Sequence, residues 1–510
     1  MPVRLYNTLT QKLEDFVPMT AGEVKLYVCG ITTYDLAHAG HARTYTTFDV
    51  LCRYLRARGF RVTYCRNVTD VDDKIVERAR TTGQEPLALS QRMSELAKED
   101  LAALGCLLPD VEPRVSTSIG DIIGLVEKLI AKGHAYVSET PAGKDVYFAV
   151  RSFSAYGKLS RRNIDELRAG ASERLSAGAE DVKRDPLDFA LWKSSGADAF
   201  GWDSPWGKGR PGWHIECSAM AMRHLGEHID IHCGGMDLIF PHHENEIAQS
   251  ESNSGPEFAR YWLHGGFLEI DKEKMSKSLG NFVTIRDARE RNDPEALRYF
   301  FLGTHYRGPL SFDVDKKTDG RVTFPGVDEA ERRMDYLYST LDALVAAAED
   351  HEPNDSNVLQ GQAKIIDEAR NHVLEALDRD LNTPQALSVL AEMAKAANEI
   401  VMQIPKMRRD PAKFGAVRGL AAKAARAFGA ACAPLGLMQA TSDEYWSRTR
   451  ARRLMLRKLD ASMIDQKIVE RTEARAAKDF AKADAIRKEL TELGVEVFDG
   501  TAGSGWRISV

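Results

Sequence analysis

Val24-Lys25-Leu26-Tyr27-Val28-Cys29-Gly30 reads as a strand stopped by glycine, and Arg61-Val62-Thr63-Tyr64-Cys65-Arg66 reads as a second strand. Between them, from Gly40 to about Arg58, Phe48, Leu51, Cys52 and Leu55 recur at helical spacing, and Gly59 supplies a helix stop. Strand, helix and strand within about 40 residues form a βαβ unit, which demands a parallel sheet with a right-handed crossover. The predicted fold class is therefore α/β.

Outward from this unit the texture changes. Between about 105 and 210, prolines and glycines (Pro109, Pro113, Gly133, Pro141, Gly143, Gly157) punctuate short strands such as 145–150, as an insertion into the sheet domain would. The α/β pattern resumes near 211, with a helix over 213–225, a strand over 228–233, a helix over 241–250 and a strand over 261–263. After about 325 the strands stop. Helices near 327–349, 357–378, 384–402 and 411–432, rich in Ala and Leu, suggest an antiparallel bundle. The tail predicts one helix over 467–492, a stop at Gly494, a short strand over 495–498 and a Gly-rich stretch before Trp506. No repeat of fixed period is present.

The chain has 510 residues, 43% of them hydrophobic and 28% charged, with a net charge of −6. At about 150 residues per domain this suggests roughly three or four domains. The balance excludes a disordered or collagen-like chain and a uniformly basic nucleic-acid binder, but not a local basic face. No apolar run approaches the roughly 18–20 residues that span a bilayer. The seven cysteines are an odd, sparse set, which fits reduced thiols in a cytosol better than a disulfide framework. Met1-Pro2-Val3-Arg4-Leu5 carries no secretory apolar region, so a cytoplasmic location is expected.

Four groups of residues carry chemistry. His38-Ala39-Gly40-His41 lies between a strand end and a helix start, where backbone N–H groups and the helix dipole favour a phosphate. It reads equally as two capping or surface histidines. Lys274-Met275-Ser276-Lys277-Ser278 offers two lysines for a polyphosphate, or is a solvated basic loop. Cys29, Cys217, His242 and Glu246 form a plausible tetrahedral zinc set, since His242 and Glu246 share one face of a helix starting at Pro241. Without any Cys-x-x-Cys, the two thiols read as well as small buried hydrophobes. Finally, His228, Asp230 and His232 share one face of a strand that leads into Gly234-Gly235-Met236-Asp237. That loop would lie where open α/β sheets bind ligands, with Asp237 placed for a ribose hydroxyl, or would be only a turn.

The first two signatures together resemble the class I aminoacyl-tRNA synthetases, with Ala39 where Ile is commoner. Tyr27-Val28-Cys29-Gly30-Ile31-Thr32, Arg66-Asn67-Val68-Thr69-Asp70-Val71-Asp72-Asp73-Lys74-Ile75, the stretch 211–220, His228-Ile229-Asp230-Ile231-His232-Cys233-Gly234-Gly235-Met236-Asp237-Leu238 and the stretch 241–250 narrow the resemblance to the cysteinyl-tRNA synthetase family. It is strong over about 4–311 and returns over 467–508, while 313–325 and the bundle surface match less well.

The resemblance implies a Rossmann-like parallel-sheet catalytic domain over 1–310 with a connective insertion at about 105–210. It further implies a linker over 311–325, a tRNA-binding helical bundle over 326–440 and a small α/β anticodon-recognition domain over 441–510. It implies Cys29, Cys217, His242 and Glu246 as ligands of one zinc ion per chain. Gly30, Thr32, Thr69, Trp213, His228 and Asp230 would lie near the bound cysteine. His38, Gly40, His41, Asp237 and Lys277 would hold ATP, taken with Mg²⁺, and His38, His41, Lys274 and Lys277 would serve catalysis. The reaction implied is activation of L-cysteine as its adenylate and transfer to tRNA(Cys). In this reading zinc rejects serine, because a soft ion takes a thiolate where a hydroxyl stays a poor ligand. The basic run 447–458 beside Trp446 suits phosphate contacts, with Arg452, Arg453 and Trp506 as tRNA-binding candidates, or forms a solvated helix face. A monomer with no membrane partner is expected. Two other readings are a cysteine ligase that joins activated cysteine to a small amine, as in mycothiol synthesis, and a non-catalytic zinc- and RNA-binding paralogue. The tail and bundle favour tRNA.

Overall fold

A computed structural model describes residues 2–163, 183–196, 199–270, 273–274, 282–316, 322–349, 351–354, 357–500 and 503–510. The central sheet contains β1 (Glu23–Val28), β2 (Arg61–Arg66), β3 (Ile229–Gly235) and β4 (Ala259–Gly265), in the order β4–β3–β1–β2. All three pairings are parallel, as the βαβ reading requires. From β1 the chain moves outward to β2, and from β3 it moves outward the other way to β4. The order therefore reverses between β1 and β3, and a crevice opens beyond their carboxyl ends.

Helix α1 (Ala39–Ala57) makes the β1–β2 crossover. Its buried face carries Phe48, Leu51, Cys52 and Leu55, the residues whose spacing predicts it. Helix α2 (Trp213–Leu225) precedes β3, and α3 (Glu244–Ser254) follows it. The helix expected from Pro241 starts instead at Glu244, because Phe240 holds an extended backbone (φ −140°, ψ 132°) inside the turn Ile239–His243. His242 still sits one turn before Glu246.

Within the insertion, Ala135–Thr140, Gly143–Phe148, Phe189–Ser194 and Gly209–Pro211 form an antiparallel sheet in chain order. Its Phe148, Leu191 and Trp192 share one apolar core with Ile215, Met220 and Ala248 of α2 and α3. The insertion thus braces the two helices that carry the candidate ligands. At the other end, α4 (Pro325–Ala348), α5 (Gln360–Leu377), α6 (Thr383–Met407) and α7 (Pro411–Cys432) form the bundle. Pro325, Pro384 and Pro411 stand at helix starts, where a missing N–H costs nothing.

The tail departs from its prediction. The single helix over 467–492 is two, α9 (Ala461–Ala476) and α10 (Phe480–Glu492), preceded by α8 (Ser442–Arg457). Asp479 causes the break by accepting the Lys482 N–H and capping a new helix. Beyond Gly494, Val495–Gly500 pairs antiparallel with Gly503–Ile508, with Trp506 opposite Val497. Among the described residues no helix is long and apolar enough to cross a membrane.

Candidate active site and metal centre

The carboxyl ends of β1 and β3 open into a cleft of about 300 Å³. His38 caps α1: its Nδ1 accepts the His41 N–H at 3.3 Å, and the His41 Nδ1 accepts the His38 N–H at the same distance. The two rings stack with centroids 3.6 Å apart and line the cleft beside Gly40. The rings both cap the helix and line the cleft, so capping does not exclude the phosphate reading, although the Ala39 and His41 N–H groups are already donated, to the Val283 carbonyl and to His38.

Gly30 follows β1 against Asn67. A Cβ there would lie 1.6 Å from the Asn67 carbonyl oxygen, so only glycine fits. Asn67 also accepts the Gly30 N–H at 2.8 Å and donates to the Thr69 hydroxyl at 3.1 Å. Thr32 and Thr69 are bridged in parallel and both line the cleft. Trp213, 38% exposed, stacks on His242 at 4.4 Å and presents an aromatic wall. Asp237 lines the side formed by the loop after β3.

At the floor, Cys29, Cys217, His242 and Glu246 bring one ligand atom each to within 4.8 Å of one another. The two sulfurs are 4.0 Å apart, Cys29 Sγ lies 3.6 Å from Glu246 Oε1, and His242 Nε2 lies 3.0 Å from that oxygen. A tetrahedral zinc with ordinary bond lengths needs donor separations of about 3.3–3.8 Å. These three separations match this to a few tenths of an ångström, and the two thiols, one imidazole and one carboxylate are donors that zinc accepts. The residues fit the ion.

Without an ion the four groups share their protons unevenly: against its own burial, His242 is raised to about 10 by Glu246 and Cys217, so an ion must displace that proton to bind. Burial pushes the Cys29 thiol well up, whereas the hydrogen bond from Cys29 brings Cys217 down to about 6 against its own burial. Burial alone would raise Glu246, but His232 and His242 hold it near 2, so it stays ionised. One carboxylate and one thiolate are thus favoured before any ion binds.

A second set, Cys29, His232, His243 and Glu246, shares two of these ligands. Of its members only Cys29 faces the cleft. The histidines behind the floor act on the ligands instead. His232 Nε2 bonds Glu246 Oε2 at 2.9 Å, and His243 Nε2 lies 3.3 Å from Cys29 Sγ. The other nitrogen of His243 bonds His264 at 2.8 Å, which in turn bonds Thr8 at 2.8 Å. His214 Nδ1 meets His242 Nδ1 at 3.0 Å. Such partners fix ring orientation. Sequence reading missed these roles for His214, His232, His243 and His264, as well as Tyr34, Thr44 and Lys74 in the cleft wall. The doublet at 242–243 was the one available signal.

Five expected residues lie elsewhere. Asp230 accepts the backbone N–H groups of Met19 and Lys25 at 2.6 and 2.7 Å, and His228 bonds the Glu257 carbonyl at 2.7 Å. Both sit at the amino end of β3, away from the cysteine site assigned to them. Arg452 pairs with Asp293 and Glu331, and Arg453, 5% exposed, pairs with Glu331 at 2.6 Å and Asp335 at 2.9 Å. These guanidinia join α8 to the bundle and are not presented to phosphates. Trp506 is also buried, its indole N–H on Asp465 at 2.6 Å. Lys274 occupies a short strand opposite Glu269, and Lys277 lies outside the described residues.

Comparison with known proteins accords with this architecture. The family model "tRNA synthetases class I (C) catalytic domain" matches residues 15–319, the DALR domain matches 372–439, and the cysteinyl-tRNA ligase anticodon binding domain matches 468–507. A cysteine–tRNA ligase of Anaeromyxobacter dehalogenans (strain 2CP-C) is 47% identical over 513 residues, covering 100% of both chains. One from Oleidesulfovibrio alaskensis is 47% identical over 507 residues, covering 99% of this chain and 100% of its own. Mycobacterium tuberculosis methionyl-tRNA synthetase in complex with methionyl-adenylate shares the fold at a TM-score of 0.59 with 18% identity, over 81% of this chain and 91% of its own. On the extent of these matches, the chain belongs to the cysteine–tRNA ligase family of class I aminoacyl-tRNA synthetases.

Proposed function

We infer that this chain activates L-cysteine with ATP and transfers it to the 3′ end of tRNA(Cys), working as a cytoplasmic monomer that selects cysteine over serine at a zinc ion. One observation carries the reading: two thiols and an imidazole, backed by a buried carboxylate whose oxygen lies among them, line the floor of the cleft whose rim is the His38–His41 helix start. The bundle and tail matches favour tRNA over a small amine as acceptor.

Cysteine would enter with its thiol toward Cys29, Cys217 and His242 and its carboxylate toward the start of α1. Thr32, Thr69 and Trp213 would bracket it. ATP would lie along the other wall, its α-phosphate against His38, His41 and the start of α1 at Gly40, its ribose at Asp237. A carboxylate oxygen attacks the α-phosphorus in line. The new C–O–P bond forms as the bond to the β-phosphate breaks, and pyrophosphate departs with Mg²⁺. No protein nucleophile is needed, so catalysis rests on positioning and on charge stabilisation by the histidines and by Lys274 and Lys277. A terminal ribose hydroxyl of the tRNA then attacks the activated carbonyl and AMP leaves. Zinc, when bound, supplies a soft Lewis acid that lowers the thiol pKa and discriminates sulfur from oxygen. His232 and His243 keep Glu246 and Cys29 oriented.

Cysteine-dependent pyrophosphate exchange, tRNA(Cys) charging and metal analysis on one sample test the proposal. Exchange and charging with one zinc per chain are expected. Absence of cysteine-dependent exchange contradicts it.

A further inference from the structure

Arg43 follows His41 by two residues on α1 but turns inward: it is 2% exposed and is not one of the residues that line the cleft. Its guanidinium meets backbone carbonyls. It donates to Gly266 at 3.0 Å, Phe267 at 2.5 Å, His305 at 3.4 Å and Tyr306 at 3.5 Å, and also to Gly308. Burial lowers it to about 10, against the opposing pull of Glu269, so it is charged at neutral pH. Among the described residues no carboxylate forms an ion pair with it. A buried charge answered by carbonyls rather than by an acid is costly, and here it ties together backbone that would otherwise lack donors.

The five carbonyls belong to two segments. Residues 265–268 leave the end of β4 and form one wall of the cleft, and Gly265 stands in register beside Gly235, two residues from Asp237. Residues 305–308 form a turn against that wall. The Gly266 N–H donates to the Tyr306 carbonyl at 2.7 Å, and the Leu310 N–H to the Phe267 carbonyl at 3.0 Å. A Cβ on Gly266 would lie 2.4 Å from the Gly308 carbonyl oxygen, so only glycine permits this approach. From the bundle, Asp380, between α5 and α6, accepts from the Tyr306 hydroxyl at 2.8 Å and from Arg307 Nε at 2.7 Å. The turn is thus held by Arg43 on one side and by Asp380 on the other.

We propose that Arg43 is a positioning residue for ATP, fixing the 265–268 wall to the helix that carries His38 and His41. A planar fork of five N–H donors can serve carbonyls of two segments at once, which an ammonium group cannot. With the Gly266 and Phe267 carbonyls committed to Arg43, the backbone of the wall keeps one orientation toward the cleft. The ribose side of the nucleotide site, at Asp237 and the wall, and its phosphate side, at the start of α1, then keep one spacing, as in-line attack on the α-phosphorus requires. The residues that would surround cysteine, namely Thr32, Thr69, Trp213 and the zinc ligands, come from other segments. The consequence of loosening Arg43 therefore falls on ATP. This inference rests on the ATP-dependent reading above and adds to it a residue that touches neither substrate.

Pyrophosphate exchange by the whole chain carrying Arg43→Lys tests it. The KM for ATP is expected to rise about 10-fold or more while the KM for cysteine stays within about 2-fold and the zinc content is unaltered. Asp380→Asn, which loosens the same turn from the bundle side, should raise the KM for ATP by a smaller factor, and it decides the matter if Arg43→Lys does not fold. An unaltered KM for ATP, or equal rises in both KM values, overturns the proposal. So does a loss of stability in denaturant unfolding with both KM values unchanged, which would make Arg43 a structural tie only. Equilibrium binding of ATP without cysteine separates this inference from the reading beneath it. If the wild type shows no cysteine-dependent exchange yet binds ATP more tightly than Arg43→Lys does, the functional reading falls and the role of Arg43 stands.

Discussion

The floor of the cleft and helix α8 are both dense in ionisable side chains drawn from distant parts of the chain, yet they put them to opposite uses. At the floor, Cys29, Cys217, His242 and Glu246 converge so that their ligand atoms face one another around a common centre. Along α8, Arg448, Arg452 and Arg453 each meet a carboxylate of the neighbouring helices directly. Metal-type donors gathered around one buried centre suit an ion, whereas charges that meet one to one across a seam hold two elements together. Density of charged or polar residues does not reveal function; the donor types and the geometry in which they meet do.

The sharpest way to break this comparison is to remove one member from each region. Cys217→Ala should lose its zinc, and its preference for cysteine over serine in pyrophosphate exchange should fall to the roughly 10- to 200-fold that a metal-free pocket provides. Retained zinc with retained preference would place selectivity elsewhere. Glu331→Ala leaves Arg452 and Arg453 short of their shared carboxylate and should lower stability by about 3–5 kcal/mol, read from denaturant unfolding. Pyrophosphate exchange by the folded fraction should persist. Loss of exchange at full stability would mean that α8 serves the cleft after all.

A smaller effect sharpens the floor itself. His232→Ala removes the bond to Glu246 Oε2 and should weaken zinc affinity about 10- to 100-fold without removing a direct ligand, measured by chelator competition. An unchanged affinity would show that Glu246 needs no orienting partner. The smallest effect is in pH. Burial would raise the Glu331 carboxyl, but Arg452 and Arg453 hold it below its ordinary 4.5. A depressed folded-state value gives stability that is full above the unfolded value and lost as pH falls through the folded one. Glu331→Gln should therefore flatten the acid limb of the stability profile below about pH 4.5, and an unaltered limb would contradict the pairing.

Much of the sheet and of the site was legible because its signals are local. The apolar spacing of Phe48, Leu51 and Leu55 predicts α1, and the strand ends at Cys29 and Gly234 place the cleft. The histidines at 38 and 41 stand in a short string whose backbone requirements are met within a few residues, whereas the need for glycine at 30 is set by Asn67, just beyond β2. What was not legible depends on distance or direction. The resemblance puts Asp230 near the bound cysteine, and a period of two, which gives the face of a strand but not its end, could not correct that: Asp230 anchors Met19 and Lys25 at the opposite edge. A run of arginines reads the same whether or not a remote carboxylate meets it, and Glu331 lies far from Arg452 in sequence. The contacts between His243 and His264 and between His214 and His242 exist only once the sheet has assembled. In the tail, apolar periodicity passed over the cap at Asp479 and joined two helices into one.

Zinc K-edge X-ray absorption on the protein as isolated tests the central claim most directly. Ligation by Cys29, Cys217, His242 and Glu246 predicts one zinc per chain with two sulfur neighbours at about 2.3 Å and two lighter ones at about 2.0–2.2 Å. A spectrum with one sulfur and three nitrogen or oxygen neighbours, as Cys29, His232, His243 and Glu246 would give, or a protein without bound metal, would contradict it.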